Sequence, residues 1–234
     1  MIVRARQRPD AASVGAVQVR LSEPDILDGV GDVWHMAGLA WRAGEGWARS
    51  RTPPDGEIFG PCGAAALYRR ADYLALGGFD ERFFCYCEDV DLGFRLRLAG
   101  RTSVRASNAI VRHAGSGITG RQSEFSLFHG HRNRIWVFLK NTPGVWFWLL
   151  LPYHLAFNGW YLFRAWRRGF LPPIARAYRA AWEGRAPYLA ERRRLRPVVP
   201  FSRLLGAMAM SPWSPWFRTL RPKASKVVHP IPID

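Results

Sequence analysis

The chain has 234 residues, 48% of them hydrophobic, with 34 basic against 18 acidic side chains and a formal net charge of +16. That apolar share excludes wholesale disorder, and the length suits one sizeable domain with or without an appendage. The charge points to an anionic partner, whether nucleic acid, anionic lipid or a phosphate-bearing substrate, and eleven tryptophans favour an interface or membrane contact.

Taken in order, residues 1–20 read as a short polar lead followed by a strand over Val14–Val19. No apolar core of signal-peptide length opens the chain. Residues 21–56 show no sustained period and read as a long loop with at most short elements, closed by the turn chemistry of Pro53-Pro54-Asp55-Gly56. Residues 58–68 are small and apolar, suiting a buried strand or a strand-to-helix turn, and Arg69–Leu76 makes a short helix stopped by Gly77-Gly78. Residues 88–99 alternate like a strand, but acids in the first turn, an Asp91–Arg95 pair and Gly100 just past the end favour a helix. Thr102–Ala106 and Ala109–His113 read as two short strands, residues 115–120 as a flexible loop, and residues 122–141 as a helix. Residues 145–163 hold 19 positions without a formal charge, interrupted by Pro152, His154, Asn158 and Gly159. Three readings of them stay open, preferred in this order: an in-plane or re-entrant membrane helix, a buried hairpin, a true span. The ten arginines of residues 164–196, against Glu183 and Glu191, suit an anionic membrane surface on the cytoplasmic face. Residues 197–234 are rich in proline and read as a loose tail.

The cysteines are Cys62, Cys85 and Cys87, an odd number without zinc spacing, so reduced thiols are expected. Chemistry concentrates between Gly60 and His113. Asp80, Glu81, Glu88, Asp89 and Asp91 there form the one dense carboxylate cluster, set among aromatics and glycines. Acids in a first helical turn also stabilise the helix dipole, so on spacing alone that role and a catalytic one weigh evenly. The catalytic reading is a general base, since a carboxylate of ordinary pKa, about 4, is ionised at neutral pH. His113, at a strand end beside a glycine loop, is either a satisfied histidine or a metal ligand.

The run GAAALYRR…GGFDERFFCYCEDVDLGFRLRLAG…NAIVRHAGSG resembles the second half of the family 2 glycosyltransferases, especially the rhamnosyltransferase-like members, over about residues 10–141. The resemblance implies an α/β chain: a partial GT-A (nucleotide-diphospho-sugar transferase) fold over residues 1–141, an apolar, membrane-associating helical region over 142–196, and the tail. It implies inverting transfer from a nucleotide-sugar donor to a cell-envelope glycan or lipid-linked acceptor. Asp89 matches the family's base and Glu88 its acidic neighbour. Gly78, Phe79, Asp80 and Glu81 match the turn that shapes the acceptor side. His113 matches a position that in some members completes a divalent metal site, Mg2+ or Mn2+, on the donor diphosphate, a metal expected only together with the donor-binding half. Arg121, Arg132 and Arg134 stand where a basic segment could close on that diphosphate, although each suits a solvated helix face equally well.

The family's first half, with its nucleoside-binding strand and Asp-x-Asp, has no counterpart here; Asp25, Asp28 and Asp32 lack that spacing. The chain is therefore expected to be a fragment, a mis-started frame or a half served by a partner chain, and inactive in sugar transfer alone. The alternative function is a non-catalytic, membrane-attached binding or scaffold module of the same descent, against which the intact GGFDE and Glu88-Asp89 count. Nucleic-acid binding lacks any recognisable motif.

Overall fold

A computed structural model describes residues 1–115 and 123–211. Strand β1 (Ala11–Arg20) is buried along nearly its whole length, and a run of small and apolar residues suits a strand covered on both faces. It pairs in parallel with β7 (Thr102–His113). Two short strands, β2 (Leu27–Gly29) and β6 (Ala66–Tyr68), lie antiparallel to the second and first halves of β1, and β5 (Gly56–Ile58) lies antiparallel to β7. A separate hairpin is formed by β3 (Asp32–His35) and β4 (Leu39–Arg42). The fold is mixed α/β. Parallel pairing of β1 with β7 demands a crossover, which contains α2 (Arg70–Ala75) and α3 (Glu88–Leu98).

Several expectations are corrected. The polar lead contains a short helix, α1 (Ile2–Gln7). The two short strands expected after Gly100 are one, β7, whose pairing slips from Ala16↔Ala106 to Val17↔Ile110. The extra residues between Ala106 and Ile110 form a bulge, which is why the period broke there. The stretch over 88–99 is helical, and its strand-like alternation has a simple cause. Val90, Leu92, Phe94, Leu96 and Leu98 are all buried, so α3 is covered around most of its circumference and shows no polar stripe. Its ends carry Glu88, Asp89 and Asp91 first and Arg95 and Arg97 last, as the helix dipole favours. Gly93 lets α3 approach the chain at Gly60 closely, since a Cβ on Gly93 would lie 3.3 Å from the Gly60 Cα.

Four helices complete the unit after α4 (Glu124–Asn141): α5 (Gly144–Arg167), α6 (Leu171–Glu183), α7 (Ala186–Arg194) and α8 (Phe201–Leu205). The largest core joins Trp34, Phe59, Phe83 and Phe94 to Trp136, Phe138 and Phe147, and on to Tyr188, Phe201 and Met208. It draws on both sides of residue 142. Residues 145–163 are neither a hairpin nor a span: they lie within the continuous α5, and among the described residues no helix is long and apolar enough to cross a membrane. The tail is not loose throughout, because Phe201 and Leu204 are buried and Ala209 donates its N–H to the Trp34 carbonyl. Residues 212–234 lie outside the described residues.

A buried charge network sets the orientation of α3. Asp91, 0% exposed, accepts from Arg95 Nε at 2.8 Å and Lys140 Nζ at 3.0 Å on Oδ2, and from Asn141 Nδ2 at 2.7 Å on Oδ1. Arg95 donates onward to the carbonyls of Leu76 and Gly78, both at 2.7 Å, and Lys140 to Asp80 Oδ2 at 2.7 Å. The network therefore joins the Gly77-Gly78 turn, α3 and the end of α4. Burial alone would raise the Asp80 carboxyl, but hydrogen bonds from Arg82 and Lys140 outweigh it and hold the group well below the usual carboxylate range.

Asp91→Ala strands Lys140 and Arg95 in the interior and is expected to cost about 3–5 kcal/mol in equilibrium denaturation, with Asp91→Asn intermediate. A group with a depressed pKa contributes stability above its ordinary value, 3.8 for Asp80, and loses it as pH falls through the folded value. Acid unfolding should accordingly begin below about pH 4 in the parent, and a flat stability profile there would contradict the network.

Candidate functional site

The segment leading into α3 is strained. Phe84, Tyr86 and Cys87 have φ of 64°, 67° and 67°, a left-handed region that side chains with a Cβ seldom enter. Each costs on the order of 1–2 kcal/mol, so something must hold it. Asn133 on α4 does: its Nδ2 lies 2.8, 2.7 and 2.7 Å from the carbonyl oxygens of Phe83, Cys85 and Tyr86. Arg132 Nη2 adds a 3.2 Å bond to the Phe83 carbonyl. This clamp delivers Glu88 and Asp89 to the start of α3 in a fixed direction.

Asp89 is held from both sides by backbone. Oδ1 accepts from Val90 N–H at 2.8 Å and Oδ2 from Gly63 N–H at 2.8 Å. Gly63 belongs to the turn between β5 and β6, so Asp89 ties α3 to the sheet. Each carboxylate oxygen keeps a lone pair for something else.

Around Asp89 stand polar groups that the protein does not satisfy. Among the described residues, Glu88 Oε2, Asp32 Oδ2 and the Tyr68 hydroxyl are each buried without a hydrogen-bond partner. Burial, reinforced by the charge of Asp89, pushes the Glu88 carboxyl up to about 7. Burial and then Asp89 push Asp32, 6% exposed, well above the usual range. Burial pushes the Cys62 thiol up to about 12, with Asp32 and Asp89 adding to it, and raises the Tyr68 hydroxyl in the same field. Unpartnered buried acids are costly, and polar groups that converge on one carboxylate without partners mark a binding site.

Asp32 is the residue that sequence reasoning missed. It lies 57 positions before Asp89 by number, but its N–H donates to the Gly60 carbonyl at 2.8 Å, which brings β3 onto the turn that faces α3. A lone Asp opening the short run Asp-Val-Trp-His carried no period to mark it, and the strand it opens is buried at three of its four positions.

His113 lies on the other side of Arg42. Its Nδ1 is 2.7 Å from Asp28 Oδ2, and Arg42 Nη1 pairs with the same Asp28 oxygen. Arg42 also feels Cys62, Asp32 and Asp89 electrostatically, so this cation links the two groups of acids. Among the described residues no three His, Cys, Asp or Glu side chains gather as a metal site, and the acidic neighbour of His113 is committed to Arg42. The described residues thus do not fit a divalent metal.

The remaining expected residues fall in distinct places. Gly78 has φ of 69°, and a Cβ there would meet the Tyr73 ring at 2.9 Å. Phe79 packs edge-on against Tyr68 and Tyr73. Asp80 is engaged by Arg82 and Lys140, and Glu81 is exposed. Arg132 lies over Trp136, 4.3 Å from the ring centre. Arg134 is buried rather than on a solvated face: its Nη2 bonds Asn158 Oδ1 at 2.7 Å and the Tyr178 hydroxyl at 2.6 Å, joining α4 to α5 and α6. Arg121 lies outside the described residues.

Comparison with known proteins bears on this geometry. No family model matches the chain. It is 41% identical over 93 residues to the N-acetylglucosaminyl-diphospho-decaprenol L-rhamnosyltransferase of Mycobacterium tuberculosis, covering 40% of this chain and 29% of that one. It is 50% identical over 38 residues to rhamnosyltransferase WbbL of Escherichia coli, covering 16% and 14%. It is 33% identical over 131 residues to the O-antigen biosynthesis protein RfbC of Myxococcus xanthus, covering 48% of this chain and 9% of that protein. The matches span less than a third of the length of each of these relatives, whose names describe rhamnosyl transfer and O-antigen biosynthesis.

A carboxyl with a raised folded pKa binds more protons than the unfolded chain between its ordinary value, 4.5 for Glu88, and about 7, so stability falls as pH rises through that window. Asp32→Asn and Glu88→Gln remove that penalty. Both should raise the thermal midpoint near pH 8 and leave it nearly unchanged near pH 4. A loss of stability at pH 8 would show that the two acids have partners after all.

Proposed function

We propose that this chain carries the acceptor-side catalytic portion of an inverting glycosyltransferase of the cell envelope. The observation that carries the reading is a backbone-fixed Asp89 surrounded by three buried polar atoms, on Glu88, Asp32 and Tyr68, that have no partner among the described residues. The donor would be a nucleotide-linked sugar. By analogy with the named activity of the Mycobacterium relative, L-rhamnose and a polyprenyl-diphosphate-linked amino sugar are the donor sugar and acceptor to try first.

The chemistry follows from the carboxylate. Inverting transfer needs a base on the acceptor side and relief of the charge that develops on the departing diphosphate. The acceptor hydroxyl oxygen forms a bond to the anomeric carbon from the face opposite the diphosphate. Asp89 takes the hydroxyl proton, and the bond from the anomeric carbon to the diphosphate oxygen breaks, releasing the nucleoside diphosphate. Two backbone N–H groups fix the plane of Asp89, so little reorganisation accompanies proton transfer. Glu88 and Asp32, held toward their neutral forms, can donate O–H bonds to other acceptor oxygens and so orient the sugar ring. Departure of the diphosphate draws on cationic groups; of the arginines expected there, Arg134 is occupied within the fold, and Arg132 is engaged by the Phe83 carbonyl and Asn133 Oδ1.

Transfer of labelled L-rhamnose to a polyprenyl-diphosphate-linked N-acetylglucosamine tests the reading, with the chain expressed in its native genomic context. Asp89→Asn should lower kcat by roughly 100- to 10,000-fold while leaving KM for the acceptor within about threefold. Equal losses in kcat and acceptor binding would remove Asp89 from the role of base.

A further inference from the structure

Helix α5 is built inside out. Its large exposed residues are Val145, Trp148, Leu149, Leu155, Phe163 and Trp166, between 54% and 64% exposed. Pro152, Ala156 and Gly159, which fall between them, are exposed as well. At 3.6 residues per turn these nine positions fall within an arc of about 120° and run along about 32 Å of helix. That whole strip lacks a charged or hydrogen-bonding side chain apart from the two indole N–H groups. Two polar residues from the middle of the helix face the other way. His154 and Asn158 are both buried, His154 Nδ1 against the Ala37 carbonyl at 2.8 Å and Asn158 against Arg134. A helix that turns its polar residues inward and a continuous apolar strip outward has the polarity of a surface made for a nonpolar medium.

The charge around the strip identifies that medium. Arg167 and Arg168 close the helix in exposed positions, and Arg164 stacks on Trp160 with its guanidinium carbon 4.8 Å from the ring centre. Residues 164–196 carry ten arginines against two glutamates. Tryptophan beside arginine at the end of an apolar strip matches the headgroup region of a bilayer, where indoles and guanidinium groups both settle. No helix among the described residues is suited to crossing, so the contact is in the plane of the surface.

We infer that the outer face of α5 seats on an anionic lipid bilayer, with its apolar strip in the acyl boundary and the arginines beyond it at the lipid phosphates. The inference rests on the exposure of α5 and the charge beside it, independently of the transfer chemistry.

Sedimentation of the full chain with vesicles tests it. The protein should bind vesicles of equal parts phosphatidylcholine and phosphatidylglycerol, and bind phosphatidylcholine alone more weakly. Leu149→Glu with Phe163→Glu should weaken binding at least about tenfold, with the fold checked by circular dichroism. Acyl-brominated lipids should quench the parent's tryptophan emission, and Trp148→Phe with Trp166→Phe, a substitution gentle to the fold, should remove most of that quenching. This second readout decides the matter if the charged variant does not fold. Absence of vesicle binding by the folded parent would overturn the inference. So would unchanged binding by the glutamate variant, which would leave an arginine-only contact, or quenching that survives both Phe substitutions. Self-association dispersed by Leu149→Glu, in place of vesicle binding, would assign the face to a second copy of the chain.

Discussion

The carboxylate of Asp91 is the point on which the remainder of the molecule rests. It is fully buried, and an ionised carboxylate in an apolar interior is tolerable only when several donors surround it. Here Arg95, Lys140 and Asn141 do so, each from a different direction. Satisfying one charge therefore fixes three pieces of chain relative to one another: α3, the glycine turn before it and the end of α4. Once α4 is placed, Asn133 lies under the carbonyls of Phe83, Cys85 and Tyr86, and the strained approach to Glu88 is held at both ends. The site geometry is a consequence of packing deeper in the protein.

What could be read from the sequence follows from how local each interaction is. The helix at 88–98 was visible through its terminal charges even though its burial erased the amphipathic stripe, because dipole complementarity acts within a single turn. The two-strand reading of 102–113 failed at a bulge, which a period-two count cannot distinguish from a break. Asp89 and Glu88 stood out by their neighbours in sequence. Asp32 did not, because its relation to them exists only after the β3–β4 hairpin folds onto Gly60. Arg134 misled in the opposite direction. An arginine among histidines on a helix resembles a solvated face, and only the return of α5 and α6 against α4 encloses it between Tyr161 and Tyr178.

The hairpin also connects the acid cluster around Asp89 to α5. Its first residue, Asp32, faces the carboxylates, while its turn rests on the inner side of α5, where Gly38 is so close to His154 that a Cβ would come within 2.4 Å of Nδ1. The His154 ring lies flat on Phe138 of α4, 4.0 Å between centres. A rigid stack thus runs from the outward apolar strip through α5 to the hairpin. The inward polar residues of α5 are what allow its outer side to remain free of them.

The hairpin is completed from far along the chain. His35, fully buried, has its Nε2 3.1 Å from the carbonyl of Ser211, 176 positions later, and Ala209 lies beside it as a parallel bridge. Contacts of such separation close late, because the entropy of a long loop is lost before the contact returns anything. During synthesis the strand that bears Asp32 would emerge early and wait, with an open edge and a half-covered histidine, until more than 170 further residues had been made. The end of the hairpin opposite Asp32 is therefore closed by residues that are made more than 170 positions later.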